Sequence, residues 1–282
     1  MGVPVVGVAI GWFSTGRDKA ARDLLALVVK GSTTGELPLK IAFVFCNREA
    51  GEAPESDEFI RQVRQYGLAL VCFSSARFEP ALRRRGLSGD EAALGEWRDA
   101  YHAEVERLLR PYQVVFSFLA GYMLIVGREI CARHTMLNLH PALPGGPKGA
   151  WEDVVWELIA RQAEEAGAMI HLVTPELDAG PPVTYCRFSL KTPEFRPLWA
   201  EMTQKLRERT LAEIRAAEGV KNRLFQAIRH AEFSRELPLI WLTLQKLAYG
   251  VIVWREGKVF FEDRPVSGLD ISPEVDRLVL VP

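Results

Sequence analysis

Met136-Leu137-Asn138-Leu139-His140-Pro141-Ala142-Leu143-Pro144-Gly145-Gly146-Pro147 is the stretch around which the rest of the chain is read. Met136 to Leu139 predicts the end of a buried strand. Side chains alternate along extended backbone, so the Asn138 amide and the His140 imidazole leave the strand end on one side. Pro141, Pro144, Gly145, Gly146 and Pro147 then stop the strand and impose a constrained, exposed loop. In open α/β sheets ligands bind beyond the carboxyl ends of strands, where a donor amide and a titratable ring are well sited for chemistry. Taken alone, an Asn-x-His at a strand end is more often a capped turn than a catalytic pair.

A second stretch, Ala168 to Val183 (AMIHLVTPELDAGPPV), sets an apolar strand carrying His171 ahead of a turn at Leu177-Asp178-Ala179-Gly180. A small residue and a glycine after Asp178 suggest a carboxylate held in tight backbone, able to orient an imidazole. Upstream, Val114 to Val126 (VVFSFLAGYMLIV) reads as a strand followed by a turn.

Together NLHPALP and HLVTPELDAGPPV resemble the folate-dependent formyltransferases, most closely those that formylate phosphoribosylglycinamide. The resemblance is strong from 96 to 190 and weaker elsewhere, and it implies a doubly wound, mostly parallel α/β sheet of Rossmann-like type with an extended helical C-terminal part. It also implies transfer of a formyl group from 10-formyltetrahydrofolate, as co-substrate, to a primary amine. Asn138, His140 and Asp178 take the catalytic positions and His171 a supporting one; a core histidine is the competing reading of His171. The strand and turn around Leu119, Gly121, Tyr122, Met123, Leu124 and Ile125, with Leu143, match the folate-lining segment.

The expected chemistry needs few parts. An amine attacks the formyl carbon, Asn138 and a protonated His140 donate to the oxyanion, and Asp178 holds the ring, favours its charged form and relays the amine proton. No metal and no covalent nucleophile is required. The same constellation serves hydrolases of formyltetrahydrofolate, which carry a regulatory domain in front, and formyltransferases acting on amino sugars or tRNA. A fold that kept binding and lost turnover is the alternative from another class.

From the start of the chain, Val3 to Ile10 predicts a strand, Lys19 to Lys30 a helix, Leu39 to Cys46 a strand, Glu55 to Tyr66 a helix and Leu68 to Phe73 a strand, the alternation of a parallel sheet. Gly11 to Asp18 is read as the loop between the first strand and helix, an anion site at a helix N-terminus. The family places the acceptor's phosphate there, so Ser14, Thr15, Gly16 and Arg17 become acceptor residues, although Trp12 and Phe13 depart from the family loop. The competing reading is a plain turn with Asp18 as helix cap. Arg98, in the helix from Trp97 to Leu109, and Glu232, placed just before a helix from Leu237 to Ala248, are carried over as further acceptor contacts. Residues 76 to 95, with Arg83-Arg84-Arg85, read as a surface excursion. Gly145, Gly146 and Lys148 lack the order of a nucleotide P-loop.

Trp151 to Glu165 predicts a helix, Ala168 to Val173 and Pro182 to Leu190 strands with an antiparallel member, and Pro193 to Ala217 one charged amphipathic helix. That helix reads either as an insertion docking a second copy, giving a homodimer, or as a cover for its own sheet. A hairpin of Val251 to Trp254 and Val259 to Phe261, turning at Glu256-Gly257, precedes a last irregular stretch. No internal repeat or linker interrupts 282 residues, so one domain is expected, 1–190 as catalytic core and 191–282 as insertion, helix and hairpin.

Thirty-five basic against 36 acidic residues give a net charge of -1, with no footprint for nucleic acid, so small-molecule substrates are expected. No run approaches the roughly 18 apolar residues of a membrane span, and no secretory signal opens the chain. Cys46, Cys72, Cys131 and Cys186 are scattered without CxxC spacing, as in a reduced, cytoplasmic protein without a metal site.

Overall fold

The computed structural model describes residues 7–279, which divide into two compact units. The first holds the chain up to Asn138 with Leu172–Gly180 and Leu244–Val251; the second holds Leu139–His171, Pro181–Thr243 and the chain from Ile252 on.

The first unit is built on parallel strands. Its elements are β1 (Val8–Ser14), α1 (Lys19–Thr34), β2 (Leu39–Cys46), α2 (Pro54–Gln65), β3 (Leu70–Cys72), α3 (Pro80–Leu87), α4 (Glu91–Leu109), β4 (Phe116–Leu119), α5 (Arg128–Arg133) and the start of β5 (Met136–His140). β1 pairs with β2 on one side and β4 on the other, β2 pairs with β3, and β4 with β5, all parallel. The order β3-β2-β1-β4-β5 therefore reverses at β1, the switch point at which α/β sheets bind ligands. The expected doubly wound, mostly parallel fold is what the chain adopts.

Several boundaries differ from expectation for identifiable reasons. β1 runs on to Ser14, so Trp12 and Phe13 are core residues of a strand rather than loop residues. Gly11 lets this happen: a Cβ there would fall 2.4 Å from Phe43 Cζ, and β1 shifts register against β2 at that point. The expected start at Val3 lies outside the described residues. The surface excursion of residues 76 to 95 is largely exposed, as expected, and takes the form of α3 and the start of α4. Pro80 starts α3, Asp90 caps α4 by accepting from Ala93 N at 3.0 Å, and Arg83 covers the Trp97 ring at 5.5 Å. The core here is aromatic: Phe13, Phe43, Phe45, Trp97, Tyr101 and Tyr122 pack with Leu119, Val126 and Met136.

The second unit carries α6 (Trp151–Ala160), β6 (Glu165–Leu172), β7 (Pro182–Ser189), α7 (Arg196–Glu208), α8 (Leu211–Glu218), α9 (Arg223–Ala248, ending in the first unit), β8 (Ile252–Arg255), β9 (Lys258–Phe261), β10 (Arg264–Val266), β11 (Leu269–Asp270) and α10 (Ser272–Val279). β6 and β7 are the expected antiparallel pair, from Glu165 opposite Ser189 to His171 opposite Pro182. β11 lies parallel to β7, and β8, β9 and β10 form a separate antiparallel sheet that includes the expected hairpin. The last stretch is therefore not irregular; it adds strands β10 and β11 and helix α10.

α6 ends at Ala160, five residues earlier than expected, and Glu165 already belongs to β6, where it faces Arg187 at 3.4 Å. The long charged helix is two helices. Thr210 makes a capping box with Glu213, which begins α8 afresh after Arg209 leaves the helical region. Met202 of α7 and Ile214 of α8 lie in one core with Val154, Val155, Trp156, Phe195, Leu224 and Phe225, so the insertion covers its own unit. α9 starts 14 residues before the expected start at Leu237 and carries Pro238 inside it. Proline forfeits a backbone bond there, yet buried Leu224, Phe225 and Ile228 before it and Leu239 and Ile240 after it keep both halves packed.

Candidate active site

The first unit presents the carboxyl ends of β1 and β4 side by side. Thr15 follows β1, and Gly121-Tyr122-Met123 follows β4. Thr15 N donates to Gly121 O at 3.1 Å, and Met123 N donates to Thr15 Oγ1 at 2.9 Å, so the expected acceptor loop and folate turn are knitted into one surface. Ser14 Oγ accepts from Gly16 N at 3.1 Å, and Asp18 Oδ1 accepts from Ala21 N at 3.0 Å, making Asp18 the cap of α1. Ser14 and Thr15 are buried, and their side chains serve these internal bonds. Arg17 alone among these four projects outward, with its Nε 3.6 Å from Asp18.

Within the turn the residues separate by role. Met123 is 53% exposed, whereas the Tyr122 ring packs edge-on to Phe13 at 5.6 Å. His102 of α4, which the sequence reading missed, lies behind Tyr122: its Nδ1 is 2.8 Å from the Arg98 carbonyl and 3.2 Å from Gly127 N, and its Nε2 is 3.1 Å from the Tyr122 hydroxyl. Burial pushes the His102 imidazole down to about 4, so it is neutral at physiological pH. The apolar spacing Trp97, Tyr101, Val105 would have placed the adjacent His102 near the core. Arg98 is half-buried on the same helix.

β5 passes from one unit to the other between Asn138 and Leu139. Asn138 and Asp178 belong to the first unit, His140, His171 and Leu143 to the second. Asp178 is half-buried and takes φ 49°, a left-handed conformation in which aspartate is among the few tolerated residues. Two residues on, a Cβ at Gly180 would come 1.6 Å from the Leu172 carbonyl oxygen, so only glycine closes this loop. The Asp-x-Gly spacing thus has a steric basis.

His140 and His171 are brought together, each 3% exposed, with ring centroids 6.3 Å apart and planes at 86°. The His140 Nε2–H donates to the Pro147 carbonyl at 2.8 Å. A carbonyl only accepts, so in this bond Nε2 carries the hydrogen. The loop can reach back because Gly146 N donates to Leu143 O at 2.8 Å around Pro144 and Gly145, the latter at φ 77°, the proline-glycine order of a type II turn. No side-chain signal could have revealed the Pro147 carbonyl as a partner.

Glu232 lies inside α9, not ahead of it, and is fully buried. Neither carboxylate oxygen has a hydrogen-bond partner, and Arg229 Nη1 is 3.6 Å away. Burial pushes this carboxyl up to about 8, leaving it protonated at neutral pH. Among the described residues no group of three or more His, Cys, Asp or Glu is placed to hold a metal, and no helix is long and apolar enough to cross a membrane.

Known proteins resemble the chain in part of its sequence and in its fold. A phosphoribosylglycinamide formyltransferase of Dictyostelium discoideum is 33% identical over 93 residues, 29% of this chain and 45% of that protein. One of Saccharomyces cerevisiae is 30% identical over 103 residues, 33% of this chain and 47% of that protein. The chain thus spans about half the length of the curated relatives it matches. Among solved structures, a phosphoribosylglycinamide formyltransferase of Coxiella burnetii shares the fold with a TM-score of 0.63 at 18% identity, over 94% of this chain and 99% of that one. A formyltetrahydrofolate deformylase of Burkholderia mallei does so at 0.57 and 16% identity, over 92% and 72%. The sequence pattern of the family described as Formyl transferase matches residues 23–192, a span that holds Asn138, His140, His171 and Asp178, and the chain belongs to that family.

Proposed function

We propose that the protein transfers the formyl group of 10-formyltetrahydrofolate to a primary amine, with phosphoribosylglycinamide as acceptor. The observation that carries this reading is the buried His140, pinned through Nε2–H to the Pro147 carbonyl, two residues beyond Asn138 on the strand end. Membership of the family and the partial likeness to phosphoribosylglycinamide formyltransferases support it.

The amine attacks the formyl carbon, and the carbonyl oxygen becomes an oxyanion. Asn138 donates an N–H to it and protonated His140 donates from Nδ1, both acting most strongly once the charge has formed. Asp178 balances the imidazolium and relays the proton from the new ammonium to the departing folate nitrogen, so that amide formation and C–N cleavage leave no net charge behind. His171 holds the His140 ring edge-on. The resemblance to the family assigns Leu119, Gly121, Met123, Leu124, Ile125 and Leu143 to the folate; Met123 is exposed on the turn, while Leu119 and Tyr122 support it from within.

The test is a steady-state assay of tetrahydrofolate release with 10-formyltetrahydrofolate and phosphoribosylglycinamide. Asn138→Ala or His140→Ala lowers kcat by roughly a hundredfold or more while folate binding changes little, because the lost donor acts on the transition state. Full turnover in either variant overturns the assignment. Formate release at the same rate without any amine would make the protein a hydrolase instead.

A further inference from the structure

The cysteines are all free thiols, and the fold sets two of them together. Cys46 ends β2 and Cys72 ends β3, and the register of this parallel pair places them opposite each other, next to Phe45 opposite Val71. Register partners on parallel strands project from one face, on backbones about 4.8 Å apart, within the roughly 4.4 to 6.8 Å between the α-carbons of a disulfide. The pairing continues past the cysteines, since Phe73 N donates to Cys46 O and Ser75 N to Asn47 O, each at 3.0 Å. Cys186, by contrast, lies opposite Ala168, and Cys131 is on α5.

The two thiols differ in access and in reactivity. Cys46 is fully buried, whereas among the described residues β3 is the edge of its sheet and Cys72 is half-buried. The adjoining Cys46 thiol, as a hydrogen-bond partner, holds the Cys72 thiol below the ordinary cysteine range, and Arg64 adds to this against burial, Glu49 and Glu52. The same contact and burial push the Cys46 thiol up, and burial pushes Cys131 and Cys186 up to about 11 each. The thiolate is the nucleophilic form, so Cys72 is the most reactive of the four. Cys46 has room to turn toward it. Its sulfur lies 3.8 Å from the Thr15 carbonyl, a long contact from a weak donor. That carbonyl also accepts from the Ser56 hydroxyl at 2.9 Å, and Ser56 Oγ in turn accepts from Arg48 Nη1 at 3.0 Å. Loss of the Cys46 hydrogen therefore leaves no buried acceptor unpaired, the penalty that would otherwise oppose it.

We propose that Cys46 and Cys72 form a hydroperoxide-responsive pair, in which Cys72 at the sheet edge is oxidised and Cys46, in register behind it, resolves it to an intramolecular disulfide. The Cys72 thiolate attacks one oxygen of hydrogen peroxide; the O–O bond breaks, the sulfur becomes a sulfenic acid, and the other oxygen leaves as hydroxide, which takes up the proton released by the thiol. The Cys46 sulfur then attacks the Cys72 sulfur. The S–S bond forms, the S–O bond breaks, and the hydroxyl leaves with the Cys46 proton as a second water. Two thiols are oxidised by two electrons and one peroxide is reduced to two waters. This site stands whether or not the protein transfers a formyl group.

The experiment treats the folded full chain with a small excess of hydrogen peroxide, blocks the remaining thiols before unfolding and maps the peptides by mass spectrometry. Wild type yields a Cys46–Cys72 disulfide, and dithiothreitol restores both thiols. Cys46→Ser stops at a Cys72 sulfenic acid, which dimedone labels; Cys72→Ser forms no disulfide; Cys131→Ser leaves the disulfide as in wild type. In the untreated chain, which needs no substitution, iodoacetamide modifies Cys72 roughly tenfold or more faster than Cys131, as its larger thiolate fraction requires. Wild type that keeps both thiols after peroxide, a disulfide joining any other pair, or oxidation and alkylation that reach Cys131 or Cys186 before Cys72, overturns the proposal.

Discussion

The two units solve the same packing problem with different materials. The first closes a parallel sheet over rings, with Phe13 in contact range of Phe43, Phe45 and Tyr122 at centroid distances of 5.7, 5.1 and 5.6 Å, and it buries a histidine. The second packs helices on an antiparallel pair, with Phe225 between Trp151 at 5.8 Å and Trp156 at 5.5 Å, and it buries an acid. A parallel sheet exposes its carboxyl edge to ligands only if its core holds the strands in register, and edge-to-face rings supply directional contacts beyond their buried area. In each unit burial keeps a titratable group neutral, His102 in the first and Glu232 in the second, with opposite consequences as pH changes.

The largest expected effect is on the cores. Phe13→Ala and Phe225→Ala each cost about 3 to 5 kcal/mol, through lost transfer energy and an unfilled cavity. Hydrogen exchange should read Phe13→Ala mainly as lost protection in β1, β2 and β4, and Phe225→Ala as lost protection in α6 and α9. Equal losses throughout in both variants would mean that the cores melt as one cooperative body and the contrast has no energetic content.

Next in size is the response to pH. Glu232 titrates near 8 folded against 4.5 in the ordinary state, so the folded protein holds an extra proton between those values. The stability tied to it is complete below pH 4.5 and is lost as pH rises through 8. His102 is the mirror case, about 4 folded against 6.5. Its contribution is complete above pH 6.5 and is lost as pH falls toward 4. Melting temperatures followed between pH 4 and 9 should therefore show Glu232→Gln flattening the alkaline limb and His102→Gln the acid limb. A Glu232→Gln variant with the wild-type alkaline slope would remove the second unit's half of the comparison.

The smallest expected effect is local to the second unit. Thr210→Ala removes the reciprocal cap of α8 and should cost about 1 kcal/mol, lowering the melting temperature by a few degrees. No change would mean that the burial of Ile214 alone holds α8 in place.

Part of the candidate site's local geometry was legible because short-range rules generate it. Alternation put Asn138 and His140 on one side of a strand, and Pro144-Gly145 marked the turn after it. The Asp178-x-Gly180 spacing carried its own reason, since Gly180 leaves no room for a side chain beside Leu172. Fold class followed from the alternation of strands with helices, which needs only periodicity. The misreadings arose where a long-range contact overruled a local preference. Trp12 and Phe13 looked like loop residues beside Ser14 and Gly16, but Gly11 makes room for Phe43 and carries the strand onward. Leu237 looked like the start of a helix, but apolar residues buried on both sides of Pro238 sustain one helix of 26 residues.

By itself, then, the sequence determined which residue types stand at the strand ends, in what order, and which family they place the chain in. Tertiary structure alone decided how those groups are held. The Pro147 carbonyl that fixes His140, the His102 ring behind Tyr122, the isolation of Glu232 and the Arg48–Ser56–Thr15 chain join segments distant in sequence or use backbone atoms common to every residue. Identity and spacing encode what a side chain can do. Burial and partner choice arise only when the chain has closed on itself, because they depend on which other atoms the fold brings within bonding distance.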